Sequence, residues 1–231
     1  MTRQELRPGS YDDLQRLMSL MTGDEKHSNA ATSTLDVLWV LYDRVLNVSP
    51  DNVDDPARDR FYLSKGHGPM AYYAVLAAKG FIGEALLRDW GSFDSPLGYH
   101  PDRNLLSGVE ISSGSLGHGL PLAVGSALGL RAQGLDARVV VLVGDAELDE
   151  GSNHEAVELA GALALSNLTV VVVDNHSATY NRPGQIAPRF AHEGWHAVTV
   201  DGRDHAALEA ALTKRTDRPS VVVAEVEEKY S

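Results

Sequence analysis

Asp145 offers a carboxylate, Asn175 a side-chain amide oxygen and Ser177 a backbone carbonyl, and the first two side chains each close a valine-rich run. The first run, Val139 to Val143, ends in Gly144-Asp145. The second, Leu168 to Val173, ends in Asp174-Asn175. Hard oxygen donors of this kind suit Mg²⁺ or Ca²⁺ rather than a soft metal. Mg²⁺ takes few protein ligands and completes its octahedron with water and phosphate oxygens, so the stretch suggests a cation gripping a diphosphate. The same Gly-Asp and Asp-Asn pairs also serve as caps and turns, and residue type alone leaves that reading open.

A second group consists of histidines in polar, glycine-rich settings. His27 stands in Lys-His-Ser-Asn, His67 in Ser-Lys-Gly-His-Gly, His100 in Gly-Tyr-His-Pro and His118 in Gly-Ser-Leu-Gly-His-Gly. None has metal-ligand spacing to another. Imidazole donates to phosphate or sugar oxygens and moves protons near neutral pH, so together they suit an anion and carbonyl site.

The elements that must position these groups follow from periodicity. The valine-rich runs read as buried parallel strands, and Ser152 to Asn167 between them has helical spacing. A strand, a helix and a strand make a βαβ unit, which places both polar clusters at the carboxyl ends of neighbouring strands, where open α/β sheets hold ligands. Further helices are expected over Tyr11 to Met21, Asn29 to Asn47, Met70 to Lys79, Glu84 to Trp90, Leu116 to Gln133 and Asp204 to Lys214, the last capped by its aspartate. Strands are expected at Arg60 to Ser64, Trp195 to Val200 and Ser220 to Val226. Ser49 to Arg60, Gly91 to Ser115 and Ala178 to Arg189 read as loops, and the second is long enough to be functional. Strands alternating with helices imply an α/β fold, a parallel β-sheet flanked by helices on both faces.

The chain has 231 residues, 43% hydrophobic and 23% charged, with a formal net charge of −12 and no cysteine. One domain over residues 1–231 is the natural division. The acidic balance argues against nucleic acid or an anionic membrane as partner. Without cysteine, disulfides, thiolate catalysis and zinc–cysteine sites are excluded. The amino-terminal stretch lacks an apolar signal core and no run approaches a membrane span, so a cytoplasmic protein is expected.

The spacing of Gly144-Asp145-Ala146 and Asp174-Asn175 resembles the thiamine diphosphate-binding motif, and Gly144 to Ala156 followed by Leu159-Ala-Gly-Ala-Leu163 looks like its transketolase version. The resemblance extends to Leu63-Ser-Lys-Gly-His67-Gly, to His27 and His100, and to Ser113-Gly-Ser-Leu-Gly-His-Gly119, in the family's order. It implies that Asp145, Asn175 and the Ser177 carbonyl hold Mg²⁺, with Ca²⁺ a possible substitute. It implies further that Gly144 and the Ala146 amide face the diphosphate, that Gly114 contacts the aminopyrimidine and that Leu116 packs under the cofactor. His67 would approach the cofactor, and His27, His67 and His100 would bind donor oxygens and assist proton transfer. Glu150 would match the acid that relays protons near the subunit interface. Ala146 stands where the family has glycine, which is tolerable if the backbone there is not at positive φ. His118 replaces a glutamine and is not assigned a catalytic role.

The implied activity is transfer of a two-carbon ketol unit from a ketose to an aldehyde, with a component of a 2-oxo-acid enzyme or a non-catalytic paralogue as alternatives. The chain resembles the diphosphate-binding domain only. The family's pyrimidine-binding domain is therefore expected on a separately encoded subunit, in an α₂β₂ assembly with a small sugar as substrate. The end at Val226 to Ser231, where the family continues to another histidine, leads to the expectation of a different or unphosphorylated ketose.

Overall fold

The structure, a computed structural model, describes residues 9–21, 32–179 and 183–228. His27 and the start of the helix expected over Asn29 to Asn47 lie outside the described residues. Five strands form one sheet: β1 (Arg60–Leu63), β2 (Val139–Gly144), β3 (Leu168–Asp174), β4 (His196–Asp201) and β5 (Ser220–Glu225). Their order is β1-β2-β3-β5-β4 and every pairing is parallel. The fold is the expected α/β type.

The valine runs read as continuous because both faces of the sheet are buried. Successive side chains on a strand point to opposite faces. Val140 and Leu142 of β2 accordingly join one core with Val171, Val173, Val222 and Ala224. Val139, Val141 and Val143 join the other with Val170, Val172, Val221 and Val223. The first face is covered by α1 (Asp13–Ser19), α2 (Leu35–Val40), α3 (Met70–Ala78) and α7 (His205–Thr213). The second is covered by α4 (Gly119–Ala132), α5 (Gly151–Ala162) and α6 (Ile186–His192). Among the described residues no helix is long and apolar enough to cross a membrane.

Several boundaries move from their expected places for local reasons. The helix expected from Leu116 starts at Gly119, because Gly114 and Gly117 have φ of +124° and +83°, outside the helical region. The loop expected over Ala178 to Arg189 gives way to α6 at Ile186. Its Pro188 falls in the first turn, where the missing N–H leaves no intrahelical bond unmade. Helix α2 passes into a π-helical turn over Leu41–Val45, with the Leu46 N–H bonding to Leu41 O at 2.8 Å. Glu84–Asp89 forms a 3₁₀ helix rather than an α-helix. The helix expected over Ser152 to Asn167 starts one residue early and ends at Ala162, followed by Ala164 at φ 45°. The aspartate cap of α7 forms as expected: Asp204 Oδ1 accepts from Ala206 N at 2.9 Å and Ala207 N at 3.0 Å.

Candidate functional site

The carboxyl ends of β1, β2 and β3 form one rim. Leu63 pairs with Leu142, and Gly144 with Val173. Beyond these pairs the chain leaves the sheet as Ser64-Lys65-Gly66-His67, as Asp145-Ala146 and as Asn175-His176-Ser177. Asp145 and Asn175 thus sit on neighbouring strand ends, about 4.8 Å apart in strand spacing.

Asp145 is 1% exposed. Its Oδ2 accepts from Ser177 N at 2.6 Å and Ala178 N at 2.9 Å, and its Oδ1 from Ser177 Oγ at 2.8 Å. The chain can fold back this way because His176 adopts φ 55°, a left-handed conformation that few non-glycine residues take and that histidine tolerates better than most. Asp174 accepts from the His176 N–H at 3.1 Å, which ties the same turn. Burial raises the Asp174 carboxyl above its usual value. The His176 N–H offsets part of this, and the nearby Asp145 charge adds to it. Asn175 is 2% exposed, and its Oδ1 has no hydrogen-bond partner among the described residues.

These features fit a hard cation. A buried acceptor without a donor is costly, and a metal ion satisfies it. The donors to Asp145 are all neutral, so its charge remains available to a cation. Among the described residues no three His, Cys, Asp or Glu side chains are placed together to hold a metal, so a metal here would rely on amide and carbonyl oxygens beside a single carboxylate.

The histidine side of the rim is close-packed. The His67 and His100 rings lie 5.1 Å apart, edge to face. A Cβ on Gly114 would stand 3.1 Å from His100 Cγ, and one on Gly66 would stand 3.0 Å from the Gly114 nitrogen, so both glycines permit the approach of loop to imidazole. His100 Nε2 is buried without a partner among the described residues. The aliphatic stem of Lys65 lies over Gly144, with Cδ 3.2 Å from where a Cβ would be, and this joins the histidine side to the aspartate side. Leu116, 46% exposed, and His67, Gly114 and Glu150 face outward along this rim. Ala146 opens a 3₁₀ turn, Ala146–Asp149, and is not at positive φ, so its methyl group is accommodated.

The sequence reading missed Glu147. This carboxylate is 1% exposed, and its Oε1 accepts from the Ser64 hydroxyl and from Gly117 N at 2.9 Å. Its Oε2 accepts from Gly144 N at 3.3 Å. The Ser64 Oγ accepts in turn from Gly119 N at 2.9 Å, and Ser152 Oγ donates to Gly117 O at 2.8 Å. Burial pushes the Glu147 carboxyl above its usual value, against these hydrogen bonds and the charge of Lys65. Four acids within Asp145 to Glu150 look alike in sequence, and no local signal marks this one out. Two clefts, of about 470 and about 770 Å³, lie elsewhere: one between α5 and α6 around Asn153 and Arg189, the other beside Tyr11, Asp36 and Arg203.

A parallel sheet with buried oxygen donors and glycine loops on its carboxyl rim suits a diphosphate-bearing ligand and a hard cation. Residues 16–226 match the family described as transketolase, thiamine diphosphate binding domain, and the chain belongs to that family. A protein named Ferredoxin fas2 from Rhodococcoides fascians is 59% identical over 226 residues, 97% of this chain and 74% of that one. Cysteine thiolates, the usual ligands of iron–sulfur clusters, are absent from this chain. An apulose-4-phosphate transketolase subunit from Actinobacillus succinogenes is 43% identical over 172 residues, covering 70% of this chain and 62% of that relative. The transketolase structure from Leishmania mexicana superposes with a TM-score of 0.77 at 25% identity, over 95% of this chain and 37% of that one. The chain therefore spans little more than a third of that whole transketolase. These likenesses favour a transketolase-like protein over a 2-oxo-acid enzyme.

Proposed function

We propose that this chain is the diphosphate-binding subunit of a two-component transketolase that moves a two-carbon ketol unit from a ketose to an aldehyde. The observation that carries this reading is that Asn175 Oδ1 is buried and unpartnered among the described residues, at the end of the strand next to the one that ends in the buried Asp145. Asp145, Asn175 and the Ser177 carbonyl hold Mg²⁺, for which Ca²⁺ can substitute. Gly144 and Ala146 present backbone to the diphosphate, Gly114 contacts the aminopyrimidine and Leu116 supports it. When bound, thiamine diphosphate supplies a carbon nucleophile for the donor carbonyl, and the protein supplies orientation and electrostatics.

His67 and His100 stand together where donor oxygens arrive, hold those oxygens and exchange protons with them. His27 has the same role in this reading and lies outside the described residues. Glu150, exposed beside Gly117, faces the missing half of the site and carries protons toward the partner. That half is a pyrimidine-binding domain on a separately encoded chain. The naming of relatives as transketolase subunits supports this, and two copies of each chain in a cytoplasmic α₂β₂ assembly are the simplest closed arrangement.

The test is to purify the chain with its co-expressed partner and titrate thiamine diphosphate with and without Mg²⁺ by calorimetry. Products are then assayed with a ketose donor and, separately, a 2-oxo acid. Mg²⁺-dependent binding and ketol transfer from the ketose alone are expected. Turnover of the 2-oxo acid alone would refute the transketolase assignment.

A further inference from the structure

We infer that Glu147 is a positioning residue that fixes the distance between the two ends of the cofactor-binding surface. The inference rests on the thiamine diphosphate reading above and assigns a role to a residue which that reading does not use.

The carboxylate joins two loops. Oε1 holds the Gly117 N–H at 2.9 Å and the Ser64 hydroxyl, while Ser64 Oγ holds the Gly119 N–H at 2.9 Å. These bonds clamp both shoulders of the turn that follows Gly114 and Leu116, the aminopyrimidine side of the rim. Oε2 holds the Gly144 N–H at 3.3 Å, the residue directly before Asp145 on the cation side. One planar, rigid group therefore spans two loops that come from different parts of the chain, 30 residues apart at the Gly117 contact. Gly117 is fixed at its carbonyl as well, by Ser152 Oγ. No side chain fits in its place, because φ is +83° and a Cβ would stand 2.7 Å from the Cβ of Glu150.

A carboxylate matches the donors at this place, at the cost of burying its charge. It accepts at both oxygens, and all three groups facing it donate. Glutamine keeps one acceptor but turns an NH₂ against either the Gly144 N–H or the Gly117 and Ser64 donors. The two ends of the surface remain present in such a variant, and only their separation and mutual orientation change. A ligand that touches both ends suffers from that change more than a ligand that touches one.

The experiment uses the purified full chain, with its partner where one co-purifies. Glu147→Gln and, separately, Ser64→Ala are compared with the wild type by calorimetric titration of two probes in saturating Mg²⁺: thiamine diphosphate, which spans the rim, and inorganic pyrophosphate, which occupies the cation end only. The melting temperature of each protein is recorded in parallel. The expected result is that both variants weaken thiamine diphosphate by at least tenfold more than they weaken pyrophosphate, with Glu147→Gln the larger effect. Equal changes for the two probes, or no change in either while the melting temperature falls, would overturn the positioning role and leave Glu147 as a stabiliser only. A wild type that binds pyrophosphate but not thiamine diphosphate would remove the cofactor reading itself, an outcome separable from the other two.

Discussion

The Ser177 hydroxyl reaches across 32 positions of sequence to donate to the Asp145 carboxylate at 2.8 Å. Two strand ends are joined by this bond and by the Ser177 N–H at 2.6 Å, while the amide oxygen of Asn175, two residues earlier, has no partner among the described residues.

Replacement of Asp145 by alanine removes the charge that the end of β2 offers a cation and releases the Ser177 turn. Calorimetry of Asp145→Ala should show Mg²⁺-dependent cofactor binding lost, by more than the roughly 10–100-fold that follows removal of an outer-shell partner. Tight Mg²⁺-dependent binding in the variant would rule Asp145 out as a ligand.

Gly114→Ala places a side chain at φ +124° and 3.1 Å from His100 Cγ. Backbone strain of this kind costs about 1–3 kcal/mol, and the imidazole must move. Urea denaturation should show that loss. The His100 ring resonances in an NMR spectrum should shift, whereas those of His196 on β4 should not.

At the opposite rim of the sheet, Asp59 joins β1 to β2. Its carboxylate takes the Arg138 side chain at 2.9 and 3.2 Å and the Arg138 N–H at 2.8 Å, with both side chains mostly buried. Asp59→Ala leaves the guanidinium buried without its carboxylate, which costs about 3–5 kcal/mol. The variant should unfold at markedly lower urea while any folded fraction still binds cofactor, which separates this pair from the site.

Glu110 gives a pH dependence of defined sign. Burial, the largest cause, raises its carboxyl above the usual value, and Arg58, 2.8 Å away, only partly offsets this. The folded state therefore binds this proton more tightly than the unfolded chain does. The stability it contributes is present below the ordinary glutamate value and is lost as pH rises through the raised value. Relative to Glu110→Gln, the wild type should lose stability as pH rises from the ordinary glutamate value through the raised one and then level off, as read by denaturation midpoints across pH. An increase over that interval would contradict the direction of the shift.

Much of the frame was legible in the sequence because the central strands are valine runs buried on both faces, and no other element has that composition. The placement of Asp145 and Asn175 at the ends of neighbouring strands was legible for the same reason, since each residue follows such a run. Helix starts were less legible where local chemistry overrides pattern. Leu116 looks helical by hydrophobicity, yet Gly117 at positive φ delays the start to Gly119, and Pro188 suggests a break where it sits harmlessly in a first turn. Glu147 could not be distinguished from Asp149 and Glu150 by type. Its distinction is three donors contributed largely by distant loops, and that information exists only once the chain is folded.

All five strands run the same way, so the rim at their amino ends carries none of the candidate cofactor-binding groups. Asp136, just ahead of β2 on that rim, has a side chain 97% exposed. In a chain with no cysteine, a single thiol introduced there would be the only one for maleimide chemistry. A fluorophore or surface tether attached at that point would report on assembly and ligand uptake from the far side of the sheet.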